Sequence, residues 1–196
     1  MTMTQVETHG KLLLSQLFIN IWLGEWDNYE QTISQLPDEI TLNLPFHSHY
    51  DQREVKLAYE NYFVIPGEYF VPPYVSAYYG KSESEQQTAR QDLLCLIGAY
   101  EKVGYYYPAE IDELPDHIGS IIGFITALLR EEIKATNEND THLVTDIKKI
   151  QREVYEDYLR PGLNKMEKPL QITIDDSFFK NFMPFFYESL EMIMYS

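Results

Sequence analysis

The sequence contains one cysteine, so neither a disulfide framework nor a cysteine-based metal site can be built from it. Cys95 lies in the apolar run 93–97, where we expect a buried thiol. No apolar stretch approaches the roughly 20 residues of a membrane span, and the first residues lack the basic segment of a secretory signal. We therefore expect a cytoplasmic protein without stable membrane insertion.

Basic residues are scarce. The chain has 15 Lys and Arg against 31 Asp and Glu, which gives a formal net charge of -16. This charge repels phosphate backbones and anionic membrane surfaces, so we expect no nucleic-acid partner. Two interpretations remain open, because the charge can simply keep the protein in solution or can attract a basic peptide.

Motifs of catalysis and metal binding are absent or incomplete. Gly80, Lys81 and Ser82 resemble the end of a phosphate-binding loop, but Val75 occupies the position of its first glycine. No Glu-x-x-His of a di-iron bundle, nucleophile elbow or zinc-protease motif occurs. We expect a protein that is not an enzyme and has no cofactor of its own.

One group of side chains carries metal-ligand chemistry. His47, His49 and Asp51 could ligate a metal, but no second cluster completes a tetrahedral site. We therefore expect no metal site.

Helical periodicity dominates what is present, and the length of 196 residues suits one domain over residues 1–196. The clearest apolar stripe predicts a buried helix that opens at Pro115 and Asp116. We predict an all-α, single-domain helical bundle. The apolar positions of its six predicted helices include Leu13 to Trp22, Val55 to Phe63, Leu93 to Tyr100, Ile118 to Ile133, Leu143 to Tyr158 and Phe178 to Leu190.

Several helix boundaries are predicted as well. Ser84 and Gln87 resemble a capping box, and Gly104 is expected to end the helix that they open. Pro161 and Gly162 are expected to stop the helix that begins near Leu143.

Two loops, 66–80 and 104–115, are rich in tyrosine and proline. The aromatic residues of 69–79 either pack over the core or line a peptide groove, and both interpretations remain open. Pro72 and Pro73 stiffen this segment, which lowers the entropy that binding would cost.

The second loop ends in a dense polar cluster, Glu113-Leu114-Pro115-Asp116-His117. Its carboxylates can satisfy the free N–H groups of a helix start, or they can hold guanidinium groups through bidentate hydrogen bonds. The helix dipole favours the charge of Asp116, so we expect this carboxylate to be available to an arginine.

These two loops resemble those of the TorD/DmsD/NarJ family of chaperones for redox enzymes. The first matches its aromatic-Phe-x-x-Pro-Gly block and its Pro-Pro-aromatic-x-Ser-x-aromatic block, and the second is similar to its Glu-x-Pro-x-His hinge. The likeness covers roughly residues 50–195, with Ile65 in place of a common glycine and Tyr74 in place of a common Trp. The matching segments are Tyr62-Phe63-Val64-Ile65-Pro66-Gly67, Pro72-Pro73-Tyr74-Val75-Ser76-Ala77-Tyr78, and Glu113, Pro115 and His117.

The resemblance implies a chaperone that binds the twin-arginine signal peptide, or a related N-terminal segment, of a molybdopterin oxidoreductase apoprotein and delays its export until the cofactor is inserted. It also implies a monomer that can form a domain-swapped dimer, with loop 104–115 as the hinge. The alternative is a general helical adaptor without a role in export or cofactor loading. The client-binding residues that the resemblance implies are Pro72, Pro73, Tyr74, Ser76, Tyr78, Glu113, Pro115, Asp116 and His117.

Overall fold

Helices make up nearly all of the regular structure in the computed structural model, which describes residues 3–105 and 114–195, with side chains from residue 8 onward. Over these ranges the only extended pairing is one isolated antiparallel bridge, between Tyr74 and His117. The all-α prediction is confirmed. The α-helices are α1 Met3–Trp22, α2 Trp26–Ser34, α3 Asp38–Leu42, α4 Gln52–Tyr59, α5 Glu83–Lys102, α6 Ile118–Asn137, α7 Thr141–Val154, α8 Arg160–Thr173 and α9 Ser177–Tyr195. None of these described helices is long and apolar enough to cross a membrane.

The centre of the core is a cluster of aromatic rings on α9. Phe178, Phe182 and Phe186 recur every four residues and are fully buried, as the sequence pattern predicts for one face of a helix. They pack against α1, where the Phe18 ring meets Phe186 edge to face at a centroid distance of 5.0 Å. Trp22 lies 5.5 Å from the same ring. Such edge contacts suit the quadrupoles of the rings, so α1 and α9 form one tightly packed pair.

Helix α6 supplies the second part of the core. Its stripe of isoleucine and leucine side chains is buried, and the helix packs against α1 on one side and α7 on the other. The buried helix predicted here is confirmed, but its first residue is Ile118, and His117 is its N-cap. Pro115 and Asp116 therefore precede the helix and do not form its first turn.

The prediction that a helix stops near Pro161 and Gly162 is wrong. Helix α7 continues through a π-helical turn, Tyr155–Leu159, directly into α8. Pro161 falls in the first turn of α8, immediately after the wide turn, where a proline is tolerated. Gly162 serves close packing, because a Cβ there would lie 2.8 Å from a methyl group of Val75.

Helix α5 differs from its prediction in two details. Its capping box is formed by Ser82 and Glu85, two residues earlier than the predicted pair. Cys95 is exposed, which corrects the predicted buried thiol. The helix turns Leu96 and Tyr100 toward the core, and Cys95 lies beside that narrow face. Gly104 adopts a φ of 67° just after the helix, so its predicted role at the helix end is confirmed.

Loop 66–80 is anchored at its start to a second π-helical turn, Glu60–Val64, which continues α4. The N–H of Val71 donates to the carbonyl of Tyr62 at 2.7 Å. The Tyr62 hydroxyl in turn accepts from the N–H groups of Asp175 and Asp176, at 3.1 and 3.2 Å, in the turn between α8 and α9. One tyrosine thus fixes the loop next to the last two helices.

The aromatic cluster predicts a large effect of one substitution. We expect Phe182→Ala to lower the free energy of unfolding by about 3–5 kcal/mol, because it leaves a cavity among rings that cannot collapse to fill it. The control is Ile172→Ala, at a side chain that is 76% exposed, where we expect a change within about 0.5 kcal/mol. Urea denaturation of both variants measures the difference, and equal losses would contradict this description of the core.

Candidate functional site

The structure brings the two predicted loops together. The N–H of Val75 donates to the carbonyl of Asp116 at 3.1 Å, and the N–H of Ile118 donates to the carbonyl of Pro73 at 2.9 Å. Between these bonds, Tyr74 and His117 pair as the isolated bridge, and their rings meet edge to face at 5.1 Å. We call residues 72–78 and 115–117 together the loop–hinge site.

Asp116 lies inside this site and is only 3% exposed. Its Oδ2 accepts from the N–H of Ser76 at 2.9 Å, whereas its Oδ1 is buried and has no hydrogen-bond partner. The sequence predicts a carboxylate that is available to an arginine, but in this conformation the side chain is buried. The Asp116 side chain anchors loop 72–78 through its hydrogen bond with Ser76, and the loop in turn covers the carboxylate.

A small cavity of about 10 Å³ lies beside this carboxylate. Such a volume holds no more than about one water molecule. A guanidinium group therefore reaches Asp116 only if residues 72–78 move. Those that line the cavity include Val75, Ser76, Tyr79, Asp92, Asp116 and Tyr158.

His117 is 1% exposed, and its Nδ1 accepts the N–H of Gly119 at 3.0 Å. The imidazole thus caps α6 through its unprotonated nitrogen, which places the ring proton on Nε2. Burial disfavours the charged form and lowers the pKa of His117 to about 4. The ring is therefore neutral near pH 7 and adds no positive charge beside Asp116.

The rest of the hinge is tied down through its backbone. The Tyr100 hydroxyl donates to the carbonyl of Pro115 at 2.9 Å, and the Ser120 hydroxyl donates to the carbonyl of Leu114 at 3.1 Å. Glu113, which is also predicted to bind the client, lies outside the described residues. So does most of the loop 104–115 predicted as a domain-swap hinge.

The first loop presents its aromatic side chains half-buried. Tyr74 and Tyr78 are both of this kind, and the Tyr78 hydroxyl donates to the carbonyl of Pro72 at 2.8 Å. Pro73 is buried, whereas Pro72 and Ser76 are partly exposed. The same tyrosines therefore pack on the core and keep part of their surface exposed. Packing over the core and lining a peptide groove do not exclude each other.

Sequence analysis missed four side chains next to the loop–hinge site: Tyr79, Asp92, Tyr158 and Lys165. The Tyr79 hydroxyl donates to Asp92 on α5, and the Lys165 ammonium of α8 lies 4.4 Å from the centre of the Tyr79 ring. Burial, followed by the influence of Cys95, raises the pKa of Tyr158 to about 12. These residues come from separate helices with no shared motif, so only the packing of α8 against the loop reveals them.

Two of the possible metal ligands in residues 47–51, His47 and Asp51, have structural partners. His47 Nδ1 lies 2.8 Å from the Tyr29 hydroxyl, and Asp51 caps α4 by accepting from the N–H of Glu54 at 3.1 Å. Throughout the part of the chain that the structure describes, no group of three or more possible ligands is placed to hold a metal ion.

The buried imidazole leads to a prediction on pH. We expect His117 to keep its Nε2–H form until the pH falls to about 4. In the unfolded chain a histidine titrates near about 6.5, so the folded protein should lose stability as the pH falls from about 6.5 toward 4. Titration of ¹⁵N-labelled histidine by NMR checks this, with His117→Asn to assign the signal and urea-unfolded protein as control. A His117 signal that titrates near 6.5 in the folded protein would contradict the buried cap.

Comparison with known proteins identifies the family. No curated protein and no solved structure gave a significant match to the chain. The family model described as nitrate reductase delta subunit matches residues 27–164, which is more than half of the chain and includes both halves of the loop–hinge site. The chain therefore belongs to the nitrate reductase delta subunit family, whose members are chaperones for the maturation of molybdoenzymes.

Proposed function

We propose that this protein is a cytoplasmic chaperone, and not an enzyme, that binds the N-terminal segment of a molybdopterin oxidoreductase apoprotein. The segment is a twin-arginine signal peptide or a related sequence, and its capture delays export until the cofactor is inserted. The observation that carries this proposal is the joining of the two family motifs into one unit, the loop–hinge site, through hydrogen bonds between residues about 40 positions apart.

Charge supports a basic ligand. The net charge of -16 attracts a peptide with two arginines over several ångströms and repels anionic competitors. Within the site, Asp116 Oδ1 is a buried acceptor without a donor, which is a costly arrangement in a folded protein. A guanidinium group that enters after loop 72–78 moves supplies the missing donor.

Aromatic side chains support an apolar contact next to the charge. Tyr69 is 55% exposed, and Tyr74 and Tyr78 keep part of their rings open to solvent. Tyrosine offers a large contact area with few rotatable bonds, so little entropy is lost when such a ring meets a peptide. The loop–hinge site thus combines an anionic acceptor with an aromatic surface, which suits arginines followed by an apolar stretch.

Co-purification from the native host tests the proposed function directly. We propose that the tagged protein recovers the unloaded precursor of a molybdenum oxidoreductase. Recovery of unrelated helical proteins without such a precursor would instead favour the general adaptor.

Titration with a synthetic twin-arginine signal peptide gives a quantitative prediction. We expect binding that weakens steeply with salt, because the Debye length falls from about 30 Å at about 0.01 M salt to about 3 Å at about 1 M. The control peptide carries two glutamines in place of the arginines and should bind weakly at every salt concentration. Calorimetry measures both, and equal affinity for the two peptides would contradict an electrostatic role.

The carboxylate of the hinge has its own prediction. We expect Asp116→Asn to remain folded, because the amide oxygen still accepts from the N–H of Ser76. Loss of the charge-assisted contact should weaken binding of the peptide by about 1.5–3 kcal/mol. The control is Asp92→Asn, which removes a charge from the same cavity but leaves Asp116 in place, and which should have a smaller effect. Full peptide affinity and full client maturation with Asp116→Asn would leave this residue only a structural role.

A further inference from the structure

A second feature, separate from the loop–hinge site, is a groove between the last two helices. Helices α8 and α9 run antiparallel around the turn 174–176 and enclose a groove of about 670 Å³. This volume lies within the range of about 300–1,000 Å³ that is typical of ligand pockets. Its lining residues on α8 extend from Asn164 to Gln171, and those on α9 extend from Phe179 to Glu191. At about 1.5 Å per residue, a helical segment of about ten residues matches this length.

The floor of the groove is apolar. Leu170, Phe179 and Met183 line it, and all three side chains are largely buried beneath its opening. Pro184 lies in the wall and has no N–H group, so the carbonyl of Lys180, four residues earlier, lacks its usual helical donor. Both residues line the groove.

The rim of the groove is acidic toward one end. Glu167 and Glu188 lie there, and neither forms an ion pair with any described residue. The single lysine of the lining, Lys180, is neutralised by Asp175 at 2.6 Å, at the opposite end near the turn. Glu191 lies at the acidic end and is already engaged by the Tyr155 hydroxyl at 2.6 Å and by Arg160 at 3.5 Å. The groove therefore has an acidic end, with Glu167 and Glu188, and an electrically neutral end, where Lys180 is paired with Asp175.

The acidic end adjoins the loop–hinge site. Tyr187 lines the groove and donates its hydroxyl to the carbonyl of Leu163 on α8 at 3.3 Å. One residue before Leu163, Gly162 lies so close to loop 72–78 that a Cβ there would be 2.8 Å from a methyl group of Val75. The end of the groove near Leu163 and Tyr187 is therefore the end next to the loop–hinge site.

We propose that the α8–α9 groove receives the apolar stretch of the client peptide, so that its end formed by Glu167, Glu188 and Tyr187 lies next to the arginines that the loop–hinge site binds. This inference rests on the proposed function and adds a binding site for the part of the apolar stretch that extends beyond the loop–hinge site. Charge complementarity sets the direction, because Glu167 and Glu188 have no ion-pair partner among the described residues and lie toward the end next to the loop–hinge site. The Glu167 carboxylate accepts a hydrogen bond from Gln171 at 3.1 Å and keeps its charge. The occupant is an apolar segment with arginine or lysine at its N-terminal side.

The test uses a defined probe, a blocked synthetic peptide with two arginines followed by about ten leucine and alanine residues, the length set by the groove. Gln171→Trp fills the groove from an exposed position on α8, and we expect it to weaken binding by about tenfold or more, as blocking a central contact typically does. The matched control, Ile172→Trp, adds the same ring one residue away, outside the lining, and should bind like the wild type. Circular dichroism and thermal melting confirm that both variants are folded.

A second pair of variants tests the direction. Glu167→Lys combined with Glu188→Lys should weaken binding of the arginine peptide and strengthen binding of a peptide with glutamates in place of the arginines. Glu131→Lys, on the exposed surface of α6, is the charge control and should change neither.

The outcomes separate this inference from the proposed function. Equal binding by Gln171→Trp and Ile172→Trp overturns the groove as the seat of the peptide, and so does the absence of any binding of the probe to the wild type. Self-association of the wild type that Gln171→Trp abolishes, without peptide binding, also overturns it. In each case the proposed function is judged independently, by whether the wild-type protein co-purifies with a molybdoenzyme precursor.

Discussion

Three hydrogen bonds tie the loop 72–78 to the start of α6, and the arrangement of the whole site depends on them. Two join backbone groups, from Val75 to Asp116 and from Ile118 to Pro73, and the third runs from the Ser76 N–H to the Asp116 carboxylate. The N–H of Ile118 belongs to the first turn of a helix and has no partner within it, so the Pro73 carbonyl satisfies a group that would otherwise be orphaned. The loop cannot move without releasing the beginning of α6.

The connection between the loop and α6 contains a carboxylate without a compensating positive charge, as a binding site for a cation requires. Asp116 is buried with one oxygen unpartnered, and His117 beside it is neutral because burial lowers its pKa to about 4. The carboxylate has the Ser76 N–H as a donor but no positive side chain within the loop–hinge site. Burying a polar acceptor without a partner is unfavourable, so a ligand that supplies donors recovers that free energy when it binds. We infer that the closed loop is the resting state and that the client opens it.

Helix α8 connects this site to the rest of the fold. Gly162 lets Val75 approach the helix closely, Lys165 lies over the Tyr79 ring, and the next turns of the same helix line the groove toward α9. The π-helical turn Tyr155–Leu159 joins α7 directly to α8, so the helix continues through Pro161. Because α8 contacts the loop directly and also lines the groove, a displacement of loop 72–78 should shift the α8 side of the groove.

Six of the described α-helices and the two segments that form the site could be predicted from the sequence, because periodic apolar residues and short polar motifs are local signals. Sequence analysis did not predict α2, α3 or α8. The stripe of α6 and the phenylalanines of α9 are examples, since their spacing alone identifies the buried face. The burial of Asp116 could not be predicted, because it depends on a loop 40 residues away. The predicted helix end at Pro161 is wrong for a similar reason. Proline usually ends a helix, but here a π-helical turn precedes it and keeps the helix continuous, and that turn has no sequence signal.

Photo-crosslinking can show whether the client peptide spans both the loop–hinge site and the α8–α9 groove. The probe is a twin-arginine peptide with one photoreactive residue next to the arginines and, in a second version, one within the apolar stretch. We expect crosslinks from the first position to residues 69–79 and from the second to residues 164–191, as located by mass spectrometry. Crosslinks concentrated outside both of these ranges would contradict this arrangement.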